Sequence, residues 1–355
     1  MDDKKLQPDE AVQKLLISTP TRLVGEYQDG DLLITHCWQM GPDLHRSIQE
    51  GPYSQSYYVV VVRTEPVKGD KIVLPNYAHV GELAASLLSV LFGKRFDSHG
   101  VLESIGHFQL PTNVVRGPLH YSHLPPFNHK PRKSNPVELN LGQVSKIRPL
   151  FQDDSEKADI RRMLYAAARF YSRSLVLWDD QPELAFLDLI TCGEIISNAV
   201  SLTERERYDP DLLEVLKNVE TETRDGKKNA DFLKARLFQV RRHFVKGLTG
   251  LLDDAFYSHH EAMHEWAAFK KTDIEERLRA AYDLRSKYVH TGAEFGDWVA
   301  SVGSEFNDVS LGKCVMKDSS LKKLLDGAPT LFGLERILRH CIIAIAKQHG
   351  LYQEK

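Results

Sequence analysis

Seven of the sixteen prolines of this chain, Pro111, Pro118, Pro125, Pro126, Pro131, Pro136 and Pro149, crowd into one stretch among His, Asn, Gly and basic residues. Each fixes φ near −65° and removes a backbone donor, so neither a long helix nor a central strand can run through them. Residues 111–152 therefore read as a Pro- and His-rich linker that parts two segments of different character. Residues 1–110 read as a small α+β domain. The segments 31–38 and 56–63 are rich in β-branched and aromatic residues and bounded by Gly and Pro, which predicts strands, with two more over 71–74 and 105–110. Between them, 81–92 has helical apolar spacing and stops at Gly93. Beyond Asp153 prolines are rare. The pattern predicts helices over 157–178, 183–202, 211–220, 230–248, 260–269, 273–290 and 331–349. They share no fixed period, so 153–355 reads as a compact helical bundle.

The 355 residues suit two domains, and 42% hydrophobic with 27% charged residues is the balance of a soluble globular protein. The net charge of −3 gives no overall attraction for polyanions, so any nucleic-acid contact needs a local patch. Cys37, Cys192, Cys314 and Cys341 lack CxxC spacing and read as reduced intracellular thiols. Met1-Asp2-Asp3-Lys4-Lys5 leads into polar residues without the apolar stretch of a signal peptide. Apolar runs such as 57–62 are too short to span a bilayer. The expectation is a cytoplasmic protein without membrane contact. No GxxxxGK[ST], GxGxxG or GxSxG string supports an ATPase, a dinucleotide enzyme or a serine hydrolase.

The helix over 273–290 carries the strongest chemical signal. Thr272 or Asp273 serves as N-cap, with Glu275 and Glu276 in the first turn. The apolar stripe Ile274, Leu278 and Ala281, continued by four, reaches Arg285, which lies within roughly 20° of Ile274 around the helix. A cation pointed at an interior or an interface needs an anion. The helix over 183–202 offers one, because Glu194 shares the face of Leu187 and Ile190. A Glu194–Arg285 pair follows, either as a buried bridge that sets helix register or as part of a site. His290 ends the same helix, before Thr291 and Gly292. A histidine there suits the negative end of the helix dipole, and an imidazole can also carry protons near neutral pH.

Arg285-Ser286-Lys287-Tyr288-Val289-His290 resembles the Arg-x4–6-His ribonuclease signature of HEPN domains. The longer string 280–292, with Tyr282, Ser286, Val289 and Gly292, is similar to the Apea-like branch of that family, and 186–196 resembles its early helix, with Glu194 in the acidic position. Thr291 between His290 and Gly292, and Ser286 after the arginine, are its departures. The resemblance covers roughly 153–349. It implies a metal-independent, cofactor-free endoribonuclease that works as a homodimer through the helical domain, in anti-phage defence or as a toxin. His290 would be general base or acid, Arg285 would stabilise charge on the phosphate, and Glu194 would orient it, with Tyr282, Ser286 and Tyr288 in support. The N-terminal domain would then meet a protein trigger or antitoxin. The contrasting expectation is a catalytically silent helical module for dimerisation or partner binding.

Other candidates are weaker. Lys234, Arg236, Arg241, Arg242, His243 and Lys246, with Phe238 and Phe244 between them, make 230–248 locally basic. They read either as a solvated amphipathic face or, together with Lys287, as an RNA-backbone track. Arg336, Arg339 and His340 read as the solvated side of a core helix. His107, His120, His123 and His129 read as loop histidines, and His259, His260 and His264 as surface residues of a helix. Neither group has metal-ligand spacing.

Overall fold

A computed structural model describes residues 11–37, 56–64, 77–103, 129–152, 154–237, 239–300 and 306–354. It divides into two compact units, Met1–Gln181 with Ala346–Lys355, and Pro182–Ile345. The boundary thus falls some thirty residues beyond the one the prolines predict. The cause is the helix Ala158–Leu177, which packs on a helix of the first unit.

In the first unit, β1 (Ala11–Thr19), β2 (Tyr27–Asp29), β3 (Leu32–His36), β4 (Ser56–Thr64) and β5 (Asp97–Glu103) form one antiparallel sheet in the order β2-β3-β4-β1-β5. β3 and β4 are the strands predicted over 31–38 and 56–63, whereas 71–74 and 105–110 lie outside the described residues. β1, which periodicity did not predict, pairs with both β4 and β5. Val12, Leu16, Leu33, Cys37, Val59 and Val61 form one buried cluster. α1 (Ala78–Phe92) approaches β1 through Gly81, where a Cβ would lie 3.1 Å from the Leu15 side chain. It ends, as predicted, at Gly93 with φ +61°. α2 (Ala158–Leu177) packs against α1. The later part of the predicted linker is ordered 3-10 helix, Leu141–Phe151, capped by the Asn140 side chain. Its Arg148 is held by Asp29 and Asp31 at the β2–β3 turn. The first unit therefore absorbs residues that their prolines alone would leave as a crossing.

The second unit is mostly helical: α3 (Pro182–Ser197), α4 (Glu204–Arg207), α5 (Pro210–Glu222), α6 (Gly226–Arg236), α7 (Val240–Thr249), α8 (Asp254–Ser258), α9 (Ile274–Thr291), α10 (Ser319–Gly327) and α11 (Leu331–Gln348), whose last residues belong to the first unit. α3, α7 and α9 pack against one another. Gly193 makes the α3 approach close: an added Cβ would meet Phe244 at 2.5 Å and Leu248 and Leu338 at 3.2 Å. Gly193→Ala is therefore expected to cost about 1–3 kcal/mol by overpacking, read as a lowered midpoint in urea unfolding.

Three expectations are corrected here. The helix predicted over 230–248 is two helices, because the chain leaves helical geometry at Leu237 (φ −90°, ψ 68°). The helix predicted over 260–269 is replaced by a 3-10 turn, Glu265–Ala267, after α8, whose N-cap Asp253 accepts from Phe256 N. His259, His260 and His264 consequently share no helical face. Arg336, Arg339 and His340 are buried, since α11 is enclosed on nearly every side. Arg336 meets Asp308 through a fork of hydrogen bonds, 2.8 Å from Nε and 2.6 Å from Nη2. His129 is exposed, and His107, His120 and His123 lie outside the described residues. Among the described residues no helix is long and apolar enough to cross a membrane.

Candidate functional site

α9 begins after Asp273, whose carboxylate accepts from Lys270 N at 3.2 Å and from Arg277 Nε at 2.8 Å and makes no cap bond to the helix's own first amides. The buried stripe is Ile274, Leu278, Ala281 and Leu284. The stripe thus turns onto Leu284, and Arg285 sits at its edge, half-buried. There it meets Glu194 of α3, with Nη2 3.9 Å from Oε2 and the side chains 28% and 24% exposed. The pair predicted from helical phase is formed, but as an ion pair too long for a direct hydrogen bond.

Tyr282 is the third member. Its phenol lies beside the Glu194 carboxylate. Burial, then the charge of Glu194, hold the Tyr282 phenol above its ordinary value of 10.0. The ring leans on Phe244 of α7, centroids 5.3 Å apart. Glu194 therefore faces two side chains of α9, spaced three residues apart on neighbouring turns. A folded-state phenol pKa above the unfolded one gives stability that is fully present below pH 10 and is lost as the pH rises through the folded value. Tyr282→Phe should abolish this component. The check is the wild-type minus mutant unfolding free energy, which is expected to fall on passing above about pH 10.

His290 occupies the last turn of α9 and is exposed. Thr291 Oγ1 donates to Lys287 O at 2.6 Å, and Gly292, at φ +66°, closes the helix with its N–H on Tyr288 O. The extra threonine thus lengthens the helix by one residue and satisfies one of its last carbonyls. Five residues correspond to roughly 140° around the helix, so Arg285 and His290 leave α9 in different directions. The supporting residues divide likewise. Ser286 is half-buried, whereas Tyr288 packs edge-on against Phe295, 5.5 Å between centroids, and Phe295 against Phe186. Lys287 is committed to Asp318 at 2.7 Å and to Ser320 at 3.0 Å.

A second feature lies between α7 and α9, a depression of about 360 Å³ lined by Asp209, Gln239, Val240, Arg241, Arg242, Val245, Lys246 and Arg279. Arg241 Nη1 reaches both oxygens of Asp283 at 2.9 and 3.0 Å, and Lys246 Nζ lies 2.5 Å from Glu275 Oε1. Arg242 donates to the carbonyls of Glu206 and Arg205 at 2.8 and 3.1 Å. Asp209 accepts from Gln239 Nε2 and from Leu212 N, and these bonds hold its carboxyl below the ordinary range. The structure brings Arg241, Arg242 and Lys246 to one place. It separates Arg236, which lies over the Phe232 ring at 3.8 Å on α6. Arg279 went unnoticed in the sequence; its phase relative to His290, eleven residues on, is the signal that could have found it. Compared with known proteins, the chain matches no family, no curated protein and no solved structure.

Proposed function

We propose that the second unit is a metal-independent endoribonuclease of the HEPN type, acting as a homodimer in anti-phage defence or as a toxin. The observation that carries this reading is the Glu194–Arg285 ion pair, set beside Tyr282, with His290 five residues after Arg285 at an open helix end. Arg285 is half-exposed and its ion pair with Glu194 is long, so a phosphate oxygen can compete for the guanidinium. His290 accepts the proton of a ribose 2′-OH, whose oxygen attacks the adjacent phosphorus. The bond from phosphorus to the 5′-oxygen breaks, that oxygen takes up a proton, and a 2′,3′-cyclic phosphate and a 5′-hydroxyl remain. Arg285 stabilises the charge that develops on the phosphate, and Glu194 aims it. Because Arg285 and His290 diverge on one helix, the reaction centre is assigned to two copies of α9 facing one another. The first unit, with its antiparallel sheet, is assigned to a protein trigger or antitoxin.

RNA incubated with the protein in EDTA is expected to yield fragments ending in 2′,3′-cyclic phosphate, while 2′-O-methyl RNA stays intact. Cleavage that stops in EDTA would overturn the mechanism. A second reading, a silent helical partner-binding module, is favoured by one observation: Arg285 already has a carboxylate partner in Glu194. In that case the same incubation leaves RNA whole.

A further inference from the structure

We infer that the depression between α7 and α9 is a phosphate seat for single-stranded RNA, with Arg279 and Arg242 as its charge-bearing residues, and that the bound strand runs from it along α9 to His290. The inference rests on the ribonuclease reading for its substrate and on the depression for its geometry.

The four cations of the depression are not equivalent. Arg241 and Lys246 are neutralised by Asp283 and Glu275, so they tie α7 to α9 and form the walls. Arg242 is anchored by two backbone carbonyls, which fix its guanidinium without cancelling its charge. Arg279 is exposed on α9 and has neither a carboxylate nor a hydrogen-bond partner among the described residues. The ionised Asp209 is the one carboxylate in the lining, and its oxygens are already occupied by Leu212 N and Gln239 Nε2. Arg279, with its charge unspent, and Arg242, whose charge Asp209 offsets in part, face a cavity large enough for a phosphodiester, and guanidinium is the side chain that binds phosphate through two parallel hydrogen bonds. Val240 and Val245 add apolar lining against which a ribose can rest.

Direction follows from helical phase. Arg279, Asp283, Ser286 and His290 fall within roughly 60° of one another around α9, and Arg279 and His290 are about 16 Å apart along the axis. A strand seated at Arg279 and following this face presents a phosphodiester to His290 a few nucleotides away. Arg285, on the side toward α3, stays clear of this path.

The test is binding of a fluorescent, single-stranded 2′-O-methyl oligoribonucleotide, which the proposed chemistry cannot cut, across a series of salt concentrations. Arg279→Ala is expected to weaken binding about tenfold or more. It should also lower the slope of log affinity against log salt by about 0.7, the value for one phosphate contact on a single strand. Arg279→Lys should restore most of the slope and part of the affinity. Lys271→Ala, whose ammonium is paired with Asp254, should change neither. Unchanged affinity and slope in Arg279→Ala, or an equal loss in Lys271→Ala, would overturn the seat. If the wild type binds with this pattern yet leaves unmodified RNA whole, the ribonuclease reading fails and the phosphate seat stands.

Discussion

His290→Ala is expected to lower RNA cleavage in EDTA by about 10²–10⁴-fold, the range for removing a general acid or base. Stability should hardly change, within about 0.5 kcal/mol, because the side chain is exposed and makes no hydrogen bond or ion pair among the described residues. This separation of activity from stability makes the experiment decisive. Arg285→Ala should also lower cleavage, by about 10²–10³-fold if it supplies one phosphate contact in the transition state. Its stability effect is harder to keep small, since Glu194 would be left half-buried beside the Tyr282 phenol without its counter-charge. Arg285→Lys retains a charge near Glu194 but loses the planar fork, so a fold held intact with cleavage still depressed points to phosphate recognition. Cleavage that persists unchanged in both alanine variants would mean that another site, or a contaminant, cuts the RNA. Growth arrest on overexpression, relieved by His290→Ala, is the matching readout in cells.

In the second unit, α9 and the Glu194–Arg285 pair were more legible than the packing. α9 could be read from its own residues, because a start at Asp273, an apolar stripe and a stop at Gly292 are local signals. The Glu194–Arg285 pair was legible too, since each charge interrupts an apolar face at a helical interval. What phase did not reveal was that the stripe turns onto Leu284, about 80° from Ile274, and not onto Arg285, about 20° from it. Packing against the neighbouring helices settles that, and those helices are remote in sequence. β1 escaped detection for a related reason. It is buried on both faces, with Gln13 among the apolar residues of one and Lys14 and Ser18 among those of the other, so no alternation marks it and only its pairing with β4 and β5 defines it. The 3-10 helix through Pro149 shows the converse. Proline excludes a regular α-helix but tolerates a tight irregular one, stabilised here by the distant carboxylates of Asp29 and Asp31.

Arg336 is the largest departure from sequence expectation, and it sets the largest stability effect. Its guanidinium and the Asp308 carboxylate are both 0% exposed. Besides the fork to Asp308, Nη1 donates to Phe256 O at 2.8 Å and the guanidinium lies 4.0 Å from the Phe256 ring centroid. Asp308 in turn accepts from Phe269 N at 3.0 Å. One ion pair thus gathers the loop before α9, the segment before α10 and the buried face of α11. Asp308→Ala leaves a cation without water or counter-charge and is expected to cost about 3–5 kcal/mol in urea unfolding, a large share of a domain's stability of about 5–15 kcal/mol. Asp308→Leu combined with Arg336→Met removes both charges and should recover most of that loss. Recovery will be incomplete, because Phe269 N and Phe256 O lose their partners, at about 1–3 kcal/mol for each buried group left unsatisfied. A cost below about 1 kcal/mol for Asp308→Ala would mean that water reaches Arg336, and the enclosed arrangement around α11 would then be wrong.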